Sequence, residues 1–264
     1  LDRYFSIMNE YHSMGIYGCD IVSLYKEKLP QDILCYYRDG SSNGYRIISE
    51  YWIQAELDRG NAELEEVLMD IMFGESAQTR LTTNILRGIY MSSNTRLHEA
   101  VGKLLVAAKL QEGLRQAICE NMDYGTAGAF MTLFHVIKEN DLLRFSSVMR
   151  AVATWTGLVA DEESKLDRIQ KKQLLLIDTY LNDENARREA LSGEDAMQIY
   201  LALWSYGFFD VDEACHVMNK LALDGSRHQR LVFGTYIRAM SLGKVYTHSV
   251  AKEFIKRFPD EMDT

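Results

Sequence analysis

NTRLHEAVGKLLVAAKLQEGLRQAICENMDYGTAGAFMTLFHVIKENDLLRFSSVMRAVATWTG, residues 94–157, decides the fold. Leu97, Val101, Leu104, Leu105 and Ala108 recur every three or four residues, and so do Leu114, Ala117, Ile118 and Met122. Phe130, Leu133, Phe134 and Ile137 repeat the pattern, as do Phe145, Val148, Met149 and Val152. Such spacing puts each set on one face of a helix and does not fit the alternation of a strand. The stretch therefore predicts four amphipathic helices in two successive pairs. The pairs begin at Asn94 and Gly125, 31 residues apart. A repeat of that length is the mark of stacked helical hairpins.

The same reading extends outward in both directions. Ile48, Tyr51, Trp52 and Ala55 make one stripe, ended near Gly60. Asn61 suits a helix N-cap, and Leu64, Val67, Leu68 and Ile71 follow it as far as Gly74. Leu81, Ile85, Leu86 and Ile89 make a third stripe. Beyond the central stretch, an acidic run at 160–164 interrupts the register. A long helix over 165–182 then carries Leu174, Ile177, Tyr180 and Leu181. The sequence Ser192-Gly-Glu-Asp195 resembles a capping box ahead of Met197, Tyr200, Leu201 and Trp204. Asp210 to Glu213 starts another helix, with Val211, Ala214, Met218 and Leu221 inward. Leu231, Val232, Thr235, Tyr236 and Met240 belong to the next, and Val250, Ala251, Phe254 and Phe258 close the series. Gly193 and Gly225 stand 32 residues apart, close to the earlier period.

The expected class is therefore all-α, an α-α superhelix of antiparallel hairpins of the HEAT or armadillo kind. Residues 1–44, dense in tyrosine, read as an irregular helical cap; 45–158 as helical repeats; 159–192 as an irregular or inserted repeat; and 193–264 as repeats running to the C-terminal end. The whole reads as one continuous domain. Composition agrees. Hydrophobic residues make up 47% and charged residues 25% of the 264, as in a chain with a sizeable core. Only Pro30 and Pro259 occur, where roughly a dozen prolines would be usual. The residue that breaks helices is missing from the interval between them.

Function is far less legible. A net charge of −9 argues against a nucleic-acid binder, which carries a basic excess or stripe. Cys19, Cys35, Cys119 and Cys215 lack any metal-ligand or redox spacing and read as buried thiols of a cytoplasmic protein. No apolar run is long enough to span a membrane, and no leader is visible. The ends, Leu1 and PDEMDT, read as those of a piece cut from a longer chain. None of His12, His98, His135, His216, His228 and His248 lies three or four residues from another, so no helical metal pair is present. Phosphate-loop, nucleophile-elbow and kinase motifs are missing too. No catalytic residue, cofactor or metal is expected.

The strongest candidate is a set of arginines. Arg115, Arg144 and Arg150 fall off the apolar stripes on the second helices of the central pairs. Second helices line the concave side of a hairpin stack, where such proteins bind. Guanidiniums placed there suit carboxylates or phosphates. The plainer reading is a solvated helix face with local ion pairs. Trp155, at the end of the fourth helix, is read either as a stacking platform or as core. The expectation is a non-enzymatic scaffold for a protein partner. An anionic-ligand or nucleic-acid module using the arginine row is the alternative.

The stretches LLVAAKLQEGLRQAI, residues 104–118, and NDLLRFSSVMRAVATWTGL, residues 140–158, resemble a region of large uncharacterised bacterial proteins. Some of those proteins are described as molybdate metabolism regulators. The resemblance implies a helical repeat region within a multidomain bacterial protein, and it supplies no catalytic residue.

Overall fold

A computed structural model describes residues 50–74, 81–157, 166–206, 208, 216–239 and 247–261. Every regular element among them is helical, and none is a strand. The tyrosine-rich cap at 1–44, the acidic run at 160–164 and the helix start at Asp210 to Glu213 lie outside the described residues. So do Ile48, Val211, Ala214, Met240, His12, Cys19, Cys35 and Cys215. The chain divides into two compact units, Leu1–Val148 and Met149–Thr264.

The first unit contains α1 (Glu50–Asp58), α2 (Ala62–Phe73), α3 (Thr83–Met91), α4 (Thr95–Leu105), α5 (Glu112–Glu120) and α6 (Ala127–Glu139). Short 3-10 turns, Met122–Tyr124 and Leu142–Arg144, follow α5 and α6. Helix α7 (Ser146–Thr156) begins in this unit and continues into the next. Side-chain caps start several helices. Asn61 accepts from the Leu64 amide at 3.0 Å, Asn94 from Leu97 at 3.0 Å, and Thr126 from Ala129 at 3.2 Å. Each satisfies one amide that the first helical turn leaves unbonded.

The apolar faces then pack helix on helix. Helix α1 lies against α3, α2 against α4, and α4 against α6. Gly88 makes the first of these contacts possible. A Cβ there would fall 2.6 Å from the Cβ of Ile53. Gly125 does the same against Tyr90, whose carbonyl accepts the Thr126 amide at 2.9 Å. The face of α1 differs from the expected stripe: Tyr51 is exposed, and Ile53, Glu56 and Leu57 are buried. Glu56 tolerates that position because Arg59 and Asn61 both hydrogen-bond to its carboxylate. Ala108 lies past the end of α4 and is exposed, while Leu110 is buried in its place.

The second unit contains α8 (Leu166–Asn182), α9 (Glu184–Ser192), α10 (Ala196–Tyr206), α11 (Arg227–Ala239) and α12 (Thr247–Arg257). A π-helical turn, Lys220–Asp224, precedes α11. Helix α10 is the hub, packed against α8, α9 and α11. From Ile199 to Tyr206 every residue is buried. The expected stripe on one face of α10 was too narrow, and Met197 sits half-buried at its edge. The cap is also displaced. Ser192 is the last residue of α9, and Asp195 accepts from the Met197 and Gln198 amides at 2.9 and 3.1 Å. In α11 Thr235 is exposed, and Phe233 takes the inward position beside Val232 and Tyr236.

Candidate functional site

Arg115 belongs to the first turn of α5, and it is 5% exposed. Its guanidinium lies 3.8 Å over the ring of Phe145 and pairs with Glu112. It also donates to the Leu110 carbonyl at 3.4 Å. The other Glu112 oxygen accepts the Ser147 amide at 3.0 Å, so one carboxylate ties the start of α5 to the start of α7. Burial pushes the Glu112 carboxyl up. The hydrogen bonds from Ser147 and Arg115 outweigh that and hold it below its usual range. Arg115 is therefore an internal residue and not part of an open face. A guanidinium is weakly hydrated and stacks on aromatic rings, which lets it enter where an ammonium would not.

Arg144 and Arg150 are exposed. Arg144 ends the 3-10 turn and lies 5.0 Å from the same Phe145 ring, so Phe145 gathers two of the three arginines. Arg150 sits on α7 in the second unit. Trp155, also on α7, is buried, and its carbonyl accepts the Trp204 indole N–H at 2.8 Å. The three arginines thus have unlike surroundings, one enclosed and two open.

Stacking of arginine on an aromatic ring is a recurring joint of this molecule. Arg87 lies 3.9 Å over Tyr124 and donates to Asn121 at 2.9 Å. Arg230 lies 4.3 Å over Phe258 and grips Glu261 through two bonds of 2.8 Å. The partners lie 28 to 37 residues away along the chain in these two pairs and the Arg115–Phe145 contact. Nothing local in the sequence marks them. Asp58 plays a part like that of Glu112, accepting the Ser93 amide at 2.7 Å and the Ser93 hydroxyl at 2.8 Å. Those bonds hold the Asp58 carboxyl below its usual range.

The remaining titratable groups serve the core. His98 is buried with its Nε2 2.9 Å from the Ile89 carbonyl, and burial lowers its pKa. Burial raises the Cys119 thiol to about 12, far from a reactive thiolate. Among the described residues no three His, Cys, Asp or Glu side chains are grouped to hold a metal ion. No described helix is long and apolar enough to cross a membrane.

The described residues form an all-helical structure in which some charged side chains join distant segments, as Arg96 does to Glu65 and Arg230 to Glu261, while others pair within one helix. The chain belongs to DUF5724, a family of unknown function, whose model matches residues 1–263. No curated protein and no solved structure matches it.

Proposed function

We propose that the chain is a non-enzymatic helical-repeat module that presents an extended surface to a protein partner. The observation that carries this is the order of contacts in the first unit: α1 on α3, α2 on α4, and α4 on α6. Contact between alternate helices is what stacked hairpins produce. Each hairpin leans on its neighbours and leaves its outer faces free for recognition. In this reading the unit is a stretch of HEAT-like superhelix. The molybdate-metabolism resemblance of residues 104–118 and 140–158 belongs here as a proposal about process only.

Arg144 and Arg150 are the arginines open to a partner. Arg115 and Trp155 support the fold beneath them. The alternative, an anionic-ligand or nucleic-acid module built on an arginine row, loses a member with Arg115 enclosed and meets a net charge of −9. The test uses photo-crosslinking side chains at the exposed positions 146 and 154 of the intact protein, beside Arg144 and Arg150, with position 59 as an exposed control. A protein captured from 146 and 154 but not from 59, and lost when both arginines become alanine with helicity intact, supports the reading. Capture that ignores position, or survives the double substitution, sinks it.

A further inference from the structure

The second unit holds a cleft of about 480 Å³ between α9, the end of α10, residues 216–219, the π-helical turn and the start of α11. That volume falls in the range of small-ligand sites. The π turn helps make it. Such turns widen a helix by one residue and often mark functional positions. Gly225 closes the turn so tightly that a Cβ would lie 2.4 Å from the Leu221 carbonyl oxygen.

Leu191 and Leu221 give the cleft buried apolar walls. Gln229 is a fixed wall. Its Oε1 accepts the Ser226 amide at 2.9 Å, and its Nε2 donates to the Leu191 carbonyl at 2.9 Å. Four other polar groups are not committed in this way. Tyr206 lines the cleft and is fully buried, yet among the described residues its hydroxyl has no hydrogen-bond partner. Buried hydroxyls are nearly always bonded, so an orphan one needs an explanation. Lys220, His216 and Asp224 stand exposed at the rim, without a hydrogen bond or ion pair among the described residues. Arg188 joins them, paired with Glu184 along α9. Lys220, Arg188 and His216 line the cleft with Asp224, and Glu184 stands behind Arg188, so Lys220 is the lining cation with no carboxylate paired to it among the described residues.

We propose that this cleft binds a small organic anion. A phosphate or carboxylate head takes Lys220 and Arg188. An apolar body lies on Leu191 and Leu221, and an acceptor atom of the ligand receives the Tyr206 hydroxyl. The cleft shares no residue with the proposed partner surface, so partner capture beside Arg144 and Arg150 can fail while this proposal stands.

The test is calorimetric titration of the 264-residue chain with phenyl phosphate, benzoate and, as the neutral control, benzyl alcohol. At least one anion should bind saturably, more weakly at higher salt, and the tighter of the two identifies the head group. Lys220→Gln should weaken binding about tenfold, and Tyr206→Phe about fivefold, the scale of one charge-assisted and one neutral hydrogen bond. Lys220 is exposed, so its variant keeps the fold. Tyr206→Phe removes a hydroxyl with no partner among the described residues and should melt no lower than the wild type. Failure of both anions to bind overturns the proposal. So does equal binding of benzyl alcohol, or unchanged affinity in both variants.

Discussion

Helices α4 and α10 are each 11 residues long and bury their surface in different ways. Helix α4 keeps Thr95, Arg96, Glu99 and Lys103 in solvent and turns Leu97, Val101, Leu104 and Leu105 inward. Helix α10 buries every residue from Ile199 to Tyr206. The first unit spreads its apolar contacts along a series of two-faced helices and links them with carboxylates and guanidiniums. The second wraps three helices around one that is apolar on all sides. Aromatic rings fill its core: Trp204 on Phe208 at 4.9 Å, Tyr200 on Tyr236 at 5.7 Å and Phe233 on Phe254 at 5.2 Å. A series loses stability piece by piece, whereas a hub loses it all at once.

The largest expected effect tests that difference. Trp204→Ala removes a fully buried indole and its bond to the Trp155 carbonyl. The cost should be about 3–5 kcal/mol, a large share of a domain's stability. Hydrogen exchange should show α8, α9, α10 and α11 losing protection together. Leu133→Ala on α6 should cost about 2–5 kcal/mol. Its loss of protection should stay with α4 and α6 and leave α1 protected. If α9 stays protected in the first variant, or α1 opens in the second, the contrast between hub and series fails.

Arg115→Ala comes next. It strips the Phe145 ring of its nearest guanidinium and leaves the Glu112 carboxylate without its arginine. A loss of about 1–3 kcal/mol is expected, and denaturant titration measures it. Arg115→Lys should recover only part, because an ammonium stacks poorly and is strongly hydrated. Full recovery by lysine would mean that charge alone holds α5 to Phe145.

The two units also differ in how much of them the sequence shows. Helix α2 was legible throughout: Asn61 caps it, Leu64, Val67, Leu68 and Ile71 are buried, and Gly74 ends it. Helix α1 was not, because Glu56 is buried, and a pattern that counts glutamate as outward rotates the face towards Tyr51. Helix α10 misled for a different reason. When nearly every position is apolar, spacing picks out a stripe that the packing does not use. Phe145 meets Arg115, and Ser147 meets Glu112, through contacts 30 and 35 residues long, and no local motif records them. The cleft was invisible for the same cause. Its residues run from Arg188 to Gln229, and a π-helical turn has no sequence mark of its own.

Acid should act on the first unit through His98. Its pKa in the fold lies below the ordinary value of 6.5, with burial the main cause. The unfolded chain then binds the proton more readily than the folded one. Stability from this group is full above pH 6.5 and declines as the pH falls below it. Glu112, held below its ordinary 4.5, adds a second loss only at lower pH. Denaturant midpoints of the first unit, read by exchange at α3 and α4, should fall between pH 7 and 5, and His98→Gln should flatten that slope. An unchanged slope in the variant would overturn the assignment to His98, since carboxylates held below their ordinary range act only at lower pH.

The smallest effect is expected at Arg144 and Arg150, and its smallness makes it useful. Both side chains are exposed, and the contact of Arg144 with Phe145, at 5.0 Å, duplicates one that Arg115 makes at closer range. Exposed substitutions of this sort move stability by less than about 0.5 kcal/mol. Alanine at both positions should therefore leave the melting temperature and helical signal in place. Any loss of partner capture then belongs to recognition. If the double variant melts as low as Arg115→Ala, the two arginines are joints of the fold like the others. A measured loss of binding would then report unfolding, and no arginine of the set would be left to mark a surface.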